Sequence, residues 1–184
     1  MTNVSLGSRN LSNGIQKLAG SIDLAELMQV LGIDESLKQQ GRQLVEILEE
    51  HGEAIFSEFY ERIIHISWAH KFRDGEVEVL KQKQFAHWRT LFSGRLDVQY
   101  VRNATMVGAV HRQRGIEPLL YIIGYGIIKS ALLERIAKKE IPSVDKGRLM
   151  VALERYISLD VGLAMVGYSG HKVFAQLFAP GFSV

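Results

Sequence analysis

Apolar residues recur at steps of three and four along most of the 184-residue chain, the spacing that puts them on one face of a helix. "SIDLAELMQVLGI" predicts a short helix ended by Gly32, and Asp34 stands where it can cap the next. That second helix carries Leu37, Leu44, Ile47 and Leu48, and it either runs on into "EAIFSEFYERIIHI" or breaks at Gly52. A third is expected from Glu76 to Phe92, stopped by Ser93-Gly94. Asp97 caps a fourth that Gly115 ends, and Pro118 suits the first turn of a fifth, over about 117–138. "EIPSVD" reads as a turn, with Ser143 or Asp145 capping a last helix that reaches about Gln176. No segment alternates convincingly as a strand. The pattern therefore predicts an all-α fold of seven or eight helices in one domain. Residues 1–20, rich in Ser, Asn and Gly, read as a loose lead-in, 21–178 as the domain and 179–184 as a tail.

Composition narrows the function without naming it. Hydrophobic residues make up 47% and charged residues 23%, as in ordinary globular domains. A net charge of +2 with no Lys/Arg run leaves no footprint for nucleic acid, which needs clustered cations. The absence of cysteine excludes disulfides, thiolate catalysis and cysteine-ligated metal, and fits a cytoplasmic setting. The N-terminus lacks an apolar signal core, and the longest nearly apolar run, Leu119–Ile128, is about half a membrane span. No membrane association is expected. No carboxylate pair, Ser/His/Asp set or glycine-rich phosphate loop stands out, so the domain itself carries no visible catalytic site.

The candidate chemistry lies in "VGAVHRQRGIEPLLY". Tyr100, Ala104, Val107 and His111 follow one another by four, three and four, an apolar stripe with an imidazole at its C-terminal end. Alone, such a histidine is better explained as a core or cap residue, favoured by the helix dipole, than as a ligand. The surrounding pattern adds weight to the ligand reading. His-x3-Gly-x2-Pro-x2-Tyr sets the imidazole just before a sharp turn, and Tyr121 and Tyr125 follow one helical turn apart. His65 and His70 are spaced as in some zinc sites, but no acid or third ligand accompanies them.

The run Phe85–Gly126, with "LFSGRLDVQYV" followed by His, Gly, Pro and Tyr at these spacings, resembles the globin domain of bacterial globin-coupled sensors. These are haem-based oxygen sensors. "IFSEFY" at 55–60 extends the match to about residues 35–165. The chain departs from the family at Arg114, where an aliphatic residue is frequent, and at Leu120, where an aromatic is. The resemblance implies a globin fold with an extra N-terminal helix, dimeric through its last two long helices. It also implies haem b, with His111 as the proximal iron ligand and Val107, Tyr121 and Tyr125 beside it. One neutral imidazole nitrogen on the iron would leave the opposite position open to a gas.

On the opposite, distal side the resemblance places Tyr60 as the donor to bound oxygen and Leu80 as an apolar gate. Lys83 or Gln84 would supply a second polar contact. Leu80, Lys83, Gln84 and His87 share a helix face by steps of three, one and three. His87 has three readings: a sixth iron ligand, a haem-edge residue, or a half-exposed histidine packed beside Trp88. The acids Asp97 and Glu117 open helices, where their charge suits the dipole.

The same resemblance implies reversible binding of O2, and of CO and NO, that regulates a C-terminal output domain. A diguanylate cyclase is preferred over a histidine kinase or a chemotaxis-type signalling domain, and the chain is expected to be the sensor fragment of a longer protein. Gly124, Gly126, Ala131, Gly147, Ala152, Gly162 and Ala164 would permit close helix contacts in the homodimer. The competing readings are a stand-alone globin for gas storage or detoxification and a haem-free helical interaction domain.

Overall fold

The computed structural model describes residues 22–65 and 75–177, with side chains as far as Gly170. Among them are six helices and no strand: α1 Leu24–Leu31, α2 Glu35–Ile64, α3 Glu76–Phe92, α4 Val98–Gln113, α5 Pro118–Lys138 and α6 Ser143–Leu177. The lead-in, the stretch with Trp68, His70 and Phe72, the side chain of His171 and the C-terminal tail lie outside the described residues.

The helix limits follow from local chemistry. Asp23, Asp34 and Asp97 each accept a backbone N–H three residues on, at 3.0, 2.9 and 2.8 Å, which satisfies an orphan donor of the first turn. Helix α2 passes through Gly52 without a break. Gly52 is buried there, and an added Cβ would lie 3.0 Å from the Phe85 ring, so the glycine serves packing rather than termination. Pro118 occupies the first turn of α5, where a missing N–H costs nothing. Helix α6 departs from helical geometry at Gly170, whose φ of 68° favours a residue without Cβ.

The core gathers where α2, α3, α5 and α6 converge, around Leu44, Leu48, Phe56, Trp88, Phe92, Leu132, Ile136, Leu149 and Tyr156. Trp88 packs edge-on against Phe56 and Phe92, at centroid distances of 6.4 and 5.6 Å. Helix α4 lies outside this cluster's centre and packs most extensively on α6. Two glycines permit that contact. A Cβ on Gly108 would fall 1.8 Å from the Ala164 carbonyl oxygen, and one on Gly167 would fall 1.9 Å from that of Thr105. The two backbones therefore touch one turn before His111.

Candidate haem-binding site

His111 stands in the last turn of α4, and the way that helix ends fixes the imidazole. Gly115 has a φ of 68°, its N–H donates to the Arg112 carbonyl at 2.9 Å, and the Ile116 N–H donates to the His111 carbonyl at 3.0 Å. This paired closure is a Schellman motif. One turn back, the Val107 carbonyl accepts from the His111 Nδ1–H at 2.8 Å. A carbonyl only accepts, so the bond places the ring proton on Nδ1 and leaves a lone pair on Nε2. Burial pushes the His111 pKa below its ordinary 6.5; the Val107 bond opposes this and Arg114 reinforces it. The ring is thus held neutral, the form that binds a metal.

Tyr121 packs its ring edge-on to His111 at 5.0 Å, and Tyr125 and Tyr168 follow at 4.9 and 5.5 Å from Tyr121. Val107 and Met165 complete this small cluster with Ala164. Sequence reasoning found Val107, Tyr121 and Tyr125 but not Tyr168. Its position four residues after Ala164, on the same face of α6, was the available signal.

Tyr60 is buried near the end of α2, its ring 5.1 Å from Phe59. Desolvation raises its pKa well above 10.0, Glu76 adds to the rise and Arg114 offsets part of it, so the phenol keeps its proton and remains a donor. Arg114 and Glu76 form an ion pair at 2.5 Å, which ties the end of α4 to the start of α3. The departure from the family at Arg114 thus has a local partner. Along α3, Leu80 packs half-buried against the main core, Lys83 is exposed and Gln84 is half-buried. The Gln84 amide oxygen is buried with no hydrogen-bond partner among the described residues. Of the two polar candidates, Gln84 is the one turned inward.

His87 is engaged elsewhere. Its Nε2 lies 3.0 and 2.9 Å from the two carboxylate oxygens of Asp160, and its ring stacks on Tyr100 at 5.9 Å with 17° between planes. Asp160 is 1% exposed and also accepts from the hydroxyls of Tyr100 and Tyr125. Four helices, α3 to α6, meet at this one carboxylate. Burial would raise its pKa, but the His87 charge and the three donors outweigh that and hold it below 3.8. For His87, burial lowers the pKa and Asp160 overcomes it, leaving the imidazole above 6.5. Asp160 was missed from the sequence. An acid alone among the apolar residues of "ISLDVGLAMV" was the signal, four residues after Tyr156 and three before Leu163.

A family model described as Protoglobin matches residues 21–172. The chain belongs to the protoglobin family. Among solved structures, the globin domain of the Geobacter sulfurreducens globin-coupled sensor is similar to this protoglobin with a TM-score of 0.72 at 18% identity, over 79% of this chain and 97% of that one. The globin domain of E. coli DosC, in ferric and ferrous forms, matches with a TM-score of 0.58 at 16% identity, over 87% of this chain and 98% of those. At these identities the likeness establishes the fold, which is the globin fold expected from the sequence. No curated protein matches.

Globin domains of this kind bind haem. The residues of this protoglobin fit that group. One imidazole has its Nε2 lone pair free of the Nδ1 bond, a buried phenol keeps its proton, and the buried Gln84 amide oxygen, on the face that carries Leu80, has no partner among the described residues.

Proposed function

We propose that the domain binds haem b through His111 and senses O2, with CO and NO as competing ligands. The observation that carries this reading is the His111 hydrogen bond to Val107, which presents a neutral imidazole with its lone pair on Nε2. Haem, when bound, would supply an iron able to take an imidazole from the protein and a diatomic gas. The protein's own residues do the rest. Val107 and the Tyr121 ring orient the imidazole, and Leu80 and Phe59 exclude water. Tyr60 keeps a proton at Oη to donate to a gas that carries partial negative charge, which favours O2 over CO. Gln84, whose amide can be turned to present its N–H2, is the second polar contact.

Signal transmission is proposed to run from α4 to α6. The two backbones touch at Gly108 and Gly167, so a shift of the His111 turn has no compressible layer to absorb it. Helices α5 and α6 also carry the proposed dimer surface. Leu119, Ile122 and Ile123 on α5 and Val144 and Val151 on α6 are exposed, and Gly126, Gly147 and Gly162 have open space where a Cβ would stand. Gly124, Ala152 and Ala164 are instead buried within the protomer. The output is proposed to be a diguanylate cyclase, on family resemblance alone.

Replacement of His111 by Ala should abolish stable haem incorporation while the helical content is retained. A variant that holds haem as the wild type does, with the same ferrous absorption bands, would remove the basis of the proposal.

A further inference from the structure

We infer that Asp160 is a positioning residue that keeps His87 off the haem iron, and so sets how many protein ligands the iron receives. The inference rests on the haem reading above. His87 shares its helix face with Leu80 and Gln84, the residues assigned to the side of the haem opposite His111. It is therefore the one described histidine on α3 able to compete with a gas. The ring atom that would compete is Nε2, and both oxygens of Asp160 hold it, at 2.9 and 3.0 Å.

The anchor is not free to follow the imidazole. The Asp160 carboxylate sits on α6 at 1% exposure, and the Tyr100 hydroxyl from α4 and the Tyr125 hydroxyl from α5 donate to its two oxygens. Tyr100 also stacks flat on the His87 ring, and Trp88, the next residue on α3, is packed 5.3 Å from Tyr125. The imidazole is thus fixed at its edge and at its face. For His87 to bind iron, its Nε2–H proton must leave to solvent, and a buried carboxylate must give up its cationic partner. Breaking such a pair from one side is strongly unfavourable, because the other charge stays buried.

The remaining groups around Asp160 do not substitute for this role. Tyr100 and Tyr125 are neutral donors, and the cations flanking His87 on α3, Lys83 and Arg89, are exposed, with Arg89 paired to Glu49. In sequence the partners stand 73, 60 and 35 residues from Asp160, so only the folded domain assembles the lock.

The test is the ferric spectrum of the haem-loaded protein, by absorption and electron paramagnetic resonance. Wild type and His87→Gln are both expected to be high-spin, because the imidazole is not on the iron. Asp160→Asn keeps the side-chain shape but removes the charge, and is expected to show a low-spin component that the double variant Asp160→Asn/His87→Gln loses. An Asp160→Asn protein that stays high-spin overturns the inference. A wild-type protein that is low-spin and becomes high-spin in His87→Gln also overturns it, and that comparison needs no substitution at Asp160. Failure of the underlying haem reading looks different: no Soret band in the wild type at all.

Discussion

At the residue scale, the proposed distal side turns on one phenol. Tyr60 is buried and holds its proton, so it can donate a hydrogen bond that a phenylalanine of the same shape cannot. Such a bond to a partly charged acceptor is worth about 2 kcal/mol, which corresponds to roughly a 30-fold change in rate. Tyr60→Phe should therefore speed O2 dissociation by about that factor and change CO dissociation much less. Stopped-flow ligand exchange measures both, and equal O2 rates in the two proteins would exclude the bond. The Asp160–His87 pair makes a second residue-scale prediction, this time for stability. His87 is raised above 6.5, so its contribution is complete below 6.5 and is lost as pH rises through its folded value. Asp160 is depressed below 3.8, so its contribution is complete above 3.8 and is lost as pH falls through its folded value. Between those limits His87→Ala should cost on the order of 3 kcal/mol, with the deficit narrowing in alkaline solution. Urea midpoints across pH check this, and a deficit that does not vary with pH would contradict the ionic pairing.

At the element scale, helix boundaries were largely legible because they depend on neighbours in sequence. Asp34, Asp97, Gly115 and Pro118 all act where the pattern placed them. The Schellman motif that closes α4 on the His111 carbonyl is the local reason that a histidine four residues before a glycine was informative. Gly52 was ambiguous because a helix-interior glycine and a helix-ending one look alike until the Phe85 ring is seen beside it. Asp160 stands out as a lone acid in an apolar stretch, but neither its role nor the Gly108–Gly167 contact was legible. Each depends on partners far along the chain, which no local pattern names. Gly108→Val tests what that contact contributes. With a Cβ directed at the Ala164 carbonyl, the variant should lose about 3 kcal/mol of stability, seen as a lower urea midpoint. A midpoint within error of wild type would mean that α4 and α6 separate easily and cannot transmit a shift.

At the scale of the whole molecule, the same two helices whose Tyr121 and Tyr168 pack beside His111 also present apolar residues outward. Helix α5 shows Tyr121 and Tyr125 to the interior and Leu119, Ile122 and Ile123 to the surface. Helix α6 shows Asp160 and Ala164 inward and Val144 and Val151 outward. No helix among the described residues is long and apolar enough to cross a membrane. The occupant proposed for these faces is a second copy of the domain. Charging the surface with Ile122→Glu and Val151→Glu should convert a dimer into monomers by sedimentation velocity, with haem content unchanged. A wild-type protein that sediments as a monomer at all concentrations would refute this arrangement.

The central claim is that His111 is the haem ligand, and the most direct measurement is the ferrous absorption spectrum of His111→Gly, with and without added imidazole. The variant should lose the wild-type bands, and free imidazole entering the vacated space should restore them. Wild-type bands in His111→Gly without imidazole would contradict the account.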